Sequence, residues 1–333
     1  MKNTCIWVLL VLLASCGQQA IVKNQSTGGA LGTSYSIIYL AGEALDYQSE
    51  IDSVFNAVNA SLSTYIPDSD ISKINQGDST IVVDHMFRDI FRLSKTVYEA
   101  TNGYFDPTVG PLVNAWGFGP EASVAMTPHV VDSLMAFVGF HKVELRSDDT
   151  IKKEDARIYF DFNAIAKGYA IDRLAAMLDA KGIDNYLVEV GGEIVAKGNN
   201  SLKEKPWVVG IDDPQAGMAR ASKLLVQLKD RALASSGNYR KYRVNEATGE
   251  KYVHTIDPLT GYTKNANTLG VTILANDCAT ADAYATAFMA MDLEKAVQLI
   301  SKRQDLEAYI IYLDEQGTTQ EYLTPGFDTL VLP

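Results

Sequence analysis

The stretch Cys278 to Ala290, CATADAYATAFMA, leaves this chain the least freedom. It reads as a helix over 278–291 made almost wholly of small residues, so another backbone or a ligand can come close to it. Within it Asp282 and Thr286 stand four positions apart, about one turn of α-helix, and their oxygens project from the same face. Two readings follow. The pair is either part of tight helix packing, with the threonine hydroxyl bonded back to its own turn, or part of a site for a hard cation.

The first residues, MKNTCIWVLLVLLASCGQQA, combine a basic start at Lys2 with a short apolar run, Ile6 to Ala14. A membrane-spanning helix takes about 20 apolar residues, so this run fits the core of a secretory signal instead. Leu13-Ala14-Ser15-Cys16 resembles the lipobox of bacterial lipoproteins. Residues 1–15 are therefore expected to be a signal peptide and Cys16 the lipidated residue. The polar, Gly-rich residues 16–29 are expected to be a flexible tether, and 30–333 the working domain. An uncleaved anchor fits less well, because the apolar run does not continue past Cys16. The expected location is the bacterial cell envelope, lipid-anchored and facing the periplasm. Gly17 supplies no acidic retention signal, and inner versus outer membrane stays open.

Of three cysteines, Cys5 leaves with the signal and Cys16 carries lipid, so only Cys278 remains and no internal disulfide can form. Stability must come from a core, which 47% hydrophobic residues can supply as one compact domain or two packed lobes. The net charge of −12 argues against a nucleic-acid partner. An acidic chain that handles phosphates needs a metal ion or local cationic groups.

Periodicity predicts helices over 47–62, 85–101, 127–138, 164–181, 278–291 and 293–302. Asn102-Gly103 and Gly182 stop two of them, and Thr127-Pro128 opens a third. Strands are expected over 34–40, 158–162, 186–190, 194–196, 207–211, 224–228, 232–235, 269–274 and 308–313. Successive strands with short turns, mixed with blocks of helix, argue for an α+β fold with mixed or antiparallel sheets flanked by helices.

Phosphate-loop, dinucleotide, H-E-x-x-H and nucleophile-elbow signatures are all absent, and four histidines are too few for a His-rich zinc site. Other stretches stand out. Asp161-Phe-Asn-Ala-Ile-Ala-Lys-Gly168 reads as a strand running directly into a helix, where free amides and Lys167 suit a phosphate as well as an ordinary turn. Glu189-Val-Gly-Gly192 suits a hairpin turn or a close ligand approach. In His254-Thr-Ile-Asp-Pro-Leu-Thr-Gly261 the histidine can move a proton near neutral pH, with Asp257 near enough in sequence to orient it. Gly103 to Pro120 interleaves aromatics with Gly and Pro, a rigid segment able to wall a planar ring or fill a buried loop.

In this order, FDPTVGPLVNAWGFG, DFNAIAKGYAIDR, LVEVGGEI, PWVVGI, SSGNYRKY, HTIDPLTG and CATADAYATA resemble the ApbE-type flavin transferases, from about Leu31 to about Ile300. The resemblance implies an exported, often lipid-anchored enzyme that takes FAD as substrate and uses Mg²⁺. Such an enzyme transfers FMN to a Thr or Ser hydroxyl of an exported acceptor, such as a subunit of a membrane redox complex, and releases AMP. It implies that Asp282, Thr286 and the carbonyl of Ala164 hold the metal. Asp161, Lys167, Tyr65, Trp116-Gly117-Phe118 and the backbone near Ile256 would contact FAD. Leu31, where many members carry Met, would keep an apolar contact with flavin or adenine. His254 is the candidate for deprotonating the attacking hydroxyl, although the motif leaves the base open. An FAD pyrophosphatase and a non-catalytic FAD-binding lipoprotein are the competing readings.

Overall fold

The computed structural model describes residues 20–215, 222–238, 242–244, 251–264 and 267–333. Cys16 and the expected signal peptide lie outside them. In chain order the described residues form β1 (Val22–Ala30), β2 (Thr33–Ala41), α1 (Gln48–Leu62), α2 (Asp70–Asn75), α3 (His85–Ala100), α4 (Gly110–Ala115), α5 (Pro128–Met135), β3 (Val143–Leu145), β4 (Ile151–Lys153), α6 (Ala166–Ala180), β5 (Tyr186–Val190), β6 (Glu193–Lys197), β7 (Trp207–Asp212), β8 (Ser222–Leu228), β9 (Arg231–Gly237), β10 (Tyr242–Val244), β11 (Lys251–Val253), β12 (Thr268–Ala275), α7 (Cys278–Ala290), α8 (Leu293–Ile300), β13 (Glu307–Leu313), β14 (Thr319–Leu323) and α9 (Pro325–Asp328). Among them, no helix is long and apolar enough to cross a membrane.

An eight-stranded sheet, ordered β1-β2-β5-β6-β9-β12-β13-β14, organises the α+β fold, and its neighbouring strands all pair antiparallel. Alternation along each strand divides the core into two sides. Ile37, Val188, Ala234, Ile273 and Ile310 face the helices and are fully buried. Leu40, Leu187, Leu233, Leu274 and Ile311 face the opposite side, where the β7–β8 hairpin packs on them with Trp207, Val209 and Val226.

Helix α7 lies against β9, β12 and α6 and is buried almost all round, as a helix without a polar face must be. Its small residues do what the composition suggested. At Gly168 in α6, an added Cβ would sit 2.4 Å from the Cys278 carbonyl oxygen, so the two helix backbones touch there. The α7 N-terminus is held by Asp277, whose carboxylate accepts from Thr280 N, and by Asp172 of α6, which accepts from Cys278 N and Ala279 N.

Two expectations need correction. The tether ends earlier than expected, because residues 22–29 belong to β1, paired with β2 from Val22↔Ala41 to Ala30↔Thr33. As an edge strand β1 is mostly polar. Asn24, its most telling residue, is buried, takes Leu45 N and donates to Glu43 O, hydrogen bonding that hydropathy does not reveal. Residues 158–162 form no strand, only a bridge from Tyr159 to Val109, and α6 starts at Ala166 because a turn fills 163–165.

Candidate active site

The first turn of α6 meets the middle of α7 and the start of β6. Lys167 Nζ lies 2.8 Å from Glu193 Oε1, and Gly168 N donates to Asp282 Oδ2 at 3.1 Å. The Glu193 and Asp282 side chains are nearly inaccessible, and each carboxyl acts on the titration of the other. Glu193 Oε2 is buried with no donor from the described residues. Burial, then the Asp282 charge, pushes the Glu193 carboxyl well above the usual range, and burial raises Asp282 against the pull of Lys167 and the Gly168 amide. For Lys167 burial alone would lower the ammonium; Glu193 and Asp282 outweigh it and hold the charge above ordinary lysine. Among the described residues one cation faces two carboxyls, so the cluster is rich in oxygen and short of positive charge.

Glu193 is the participant that sequence reasoning missed. Its signal was a lone acid straight after the Gly191-Gly192 turn, ahead of the apolar run Ile194 to Ala196. That turn, with φ of 62° and 95°, lies beside the β1–β2 turn at Leu31-Gly32, φ 50° and 72°. Both have positive φ at two central residues, the requirement of a type I′ hairpin. Gly191 N donates to Ser34 O, and a Cβ on Gly191 would press on the Thr33 side chain at 2.9 Å. Leu31, an uncommon side chain in this backbone region, is thereby held at the edge of the site and packs against the buried residues on the helix side.

Thr286, one turn along α7 from Asp282, is half-buried, and its hydroxyl is 3.3 Å from Ser236 Oγ on β9. Two residues on, Asn238 Oδ1 accepts from the Thr255 hydroxyl at 2.7 Å. The end of β9 thus joins the carboxylate cluster to the His254 segment. His254 lies edge-on to Phe118, ring centroids 6.4 Å apart, while Trp116 donates to Gly261 O at 3.0 Å and faces Tyr262. Gly117, with φ of 80°, makes the turn between those two aromatics. Ile256 is buried against Leu112 and Val138 below them. The Asp257 carboxylate takes the Leu259 amide and its carbonyl closes the turn at Gly261, so it serves the loop.

Asp161 N donates to Pro107 O, tying this wall to the segment before α6. Burial raises the Asp161 carboxyl, and burial and then the Asp161 charge raise the Tyr65 hydroxyl. Ala164 lies in the turn before α6, four residues ahead of the amide that meets Asp282. Direct contacts thus link Lys167, Asp282 and Thr286 to the end of β9 and on to the segment that carries His254.

One turn along α6 from Gly168, burial pushes the Asp172 carboxyl up to about 7. The folded state therefore binds more protons than the unfolded chain between about pH 4 and about 7, and stability falls as pH rises through that window. Asp172→Asn should remove up to about 1.4 kcal/mol per pH unit of that slope, read from urea unfolding at several pH values. Equal slopes in both proteins would contradict the assignment.

A cationic helix start, a carboxyl pair in need of positive charge and an aromatic wall define a site suited to a planar ligand that bears phosphate. The chain belongs to the ApbE family, whose model matches residues 31–310. It is 34% identical to the FAD:protein FMN transferase of Haemophilus influenzae, over 92% of this chain and 90% of that one. The FAD:protein FMN transferase of Vibrio cholerae is 35% identical, over 96% and 95%. Among solved structures, the flavin transferase ApbE from Vibrio cholerae superposes with a TM-score of 0.83 at 33% identity, covering 93% of this chain and 100% of that one. The apo flavinyl transferase ApbE of Pseudomonas stutzeri gives 0.81 at 29% identity, covering 93% and 97%.

Proposed function

We propose that this protein is a Mg²⁺-dependent FAD:protein FMN transferase, which attaches FMN through a phosphoester to a Thr or Ser hydroxyl of another protein and releases AMP. The observation that carries it is the buried Lys167–Glu193–Asp282 cluster at the start of α6, set in a chain of the ApbE family.

The donors fit a hard cation. Asp282, the Thr286 hydroxyl and the Ala164 carbonyl are oxygen ligands, and the unpartnered Glu193 Oε2 marks a place where positive charge is missing. Among the described residues no three His, Cys, Asp or Glu side chains converge as a metal cage, which suits Mg²⁺, an ion that shares its shell with phosphate and water. Bound there, Mg²⁺ supplies neutralisation of the charge that builds on the AMP leaving group.

The chain's own residues do the rest. Lys167 and the free amides of the α6 start hold the diphosphate. Tyr65, Asp161 and Leu31 grip the nucleotide on one side, and Trp116, Gly117, Phe118 and the Ile256 backbone on the other. His254 takes the proton from the attacking hydroxyl as the new P–O bond forms and the diphosphate P–O bond to AMP breaks. The acceptors are exported proteins such as subunits of membrane redox complexes. A lipid on Cys16 would keep the enzyme at the envelope, facing the periplasm.

Chromatography of the nucleotides formed from FAD and Mg²⁺, with and without envelope protein from the source bacterium, tests the reading. AMP that appears only with acceptor and vanishes with chelator is expected. AMP with matching free FMN and no acceptor would make the protein a pyrophosphatase, and unchanged FAD throughout would leave only binding.

A further inference from the structure

The segment that delivers Asp161 to the site has no sheet to hold it. Between Ile158 and Asp161 its ties to the α4 side are the Val109↔Tyr159 bridge and Asp161 N to Pro107 O. On its other side a single side chain takes the place of a strand. Asn75, the last residue of α2, accepts from Phe160 N through Oδ1 at 2.7 Å and donates from Nδ2 to Phe160 O at 2.9 Å. That is the two-bond pattern one strand residue offers its neighbour across a ladder, made here by an amide 85 residues away in sequence. Lys153 strengthens the grip, its Nζ donating to Ile74 O, Ala156 O and Ile158 O at 2.8–2.9 Å.

At its other end the same short helix holds Ser63, in the loop that carries Tyr65. Ser69 caps α2 by accepting from Ser72 N, and the hydroxyls of Ser69 and Ser72 both donate to Ser63 O, at 2.7 and 3.3 Å. The loop that carries Tyr65 is drawn closed over the start of α2. Helix α2 is thus a strut with Ser63, two residues before Tyr65, tied at one end and the neighbour of Asp161 clamped at the other.

We propose that Asn75 is a positioning residue for FAD, which sets Asp161 in register with Tyr65 on one side of the nucleotide; this rests on the flavin reading given above. Asn75 need not touch the ligand. A site whose contacts are held by one intervening shell loses affinity when that shell is cut, because the ligand must then order the loop itself.

The test is FAD affinity by flavin fluorescence on the full-length protein in Mg²⁺ without acceptor, together with kcat and KM for FAD when acceptor is supplied. Asn75→Ala should weaken FAD binding and raise KM by about tenfold, with kcat at saturating FAD within about threefold of wild type. Ile74→Val, a core change in the same helix that leaves the Phe160 clamp intact, should change stability but not FAD affinity. If Asn75→Ala gives no folded protein, Asn75→Asp carries the test, since it keeps the oxygen that takes Phe160 N and loses the donor to Phe160 O. Affinity unchanged in the folded Asn75 variant, with wild type binding FAD, would overturn this inference alone. A wild type that binds no FAD would overturn the flavin reading and this inference with it.

Discussion

Asp282→Asn is expected to lower FMN transfer by at least about 10³-fold while leaving the protein as stable as before or more stable by about 1 kcal/mol. The two effects have opposite signs for one reason. In the protein without cation, Asp282 is a buried carboxyl crowded against a second, and both are pushed up by burial. An asparagine keeps an oxygen for Gly168 N and brings an N–H₂ donor to Glu193 Oε2, which otherwise has none. Folding therefore loses nothing, whereas a cation site loses its one charged ligand from α7. Steady-state turnover and urea unfolding of the same preparation check both halves. Substantial activity, or a clear loss of stability, would contradict the assignment of Asp282 to cation binding.

Lys167→Met should be costly on both counts. The methionine stem replaces much of the lysine packing but leaves Glu193 and Asp282 with no counter-charge, and breaking a buried pair in this way typically costs about 3 kcal/mol. Both carboxyls already titrate high. Without Lys167 they rise further, so the folded state holds its protons to higher pH, and the variant's deficit should shrink as the solution is acidified. Transfer should fall by about 10²-fold or more, because the proposed diphosphate site would lose the one cationic side chain that the described residues place in the cluster. Adding Glu193→Gln should recover most of the stability and none of the activity. A Lys167→Met protein with the stability and pH profile of wild type would show that the three groups do not act as a unit.

Sequence reasoning reached the parts of this molecule that are written locally. The poverty of side-chain bulk in α7 announced a close helix contact, realised where Gly168 meets the Cys278 carbonyl. The Asp282–Thr286 spacing, the α6 start and the aromatic run around Trp116 are short-range patterns; the fold sets the first two against each other and the third against the His254–Gly261 segment. What stayed hidden depends on partners far apart in sequence. Edge strand β1 is polar because one face meets solvent, and its buried Asn24 is satisfied by a loop 19 residues away. Glu193 looked like a strand residue until Lys167 and Asp282 arrived from two helices. Residues 158–162 have a strand's composition but find Asn75 in place of a neighbouring strand, a substitution no periodicity can signal.

The most direct test of the central claim is whether flavin becomes covalently attached to protein. The full-length enzyme would be incubated with FAD, Mg²⁺ and envelope proteins of its source bacterium, then resolved on a denaturing gel read by flavin fluorescence, beside chelator and Asp282→Asn controls. A fluorescent band that survives denaturation, forms with release of AMP and is missing from both controls is the predicted result. Free FMN and AMP with no flavin-bearing protein would contradict it.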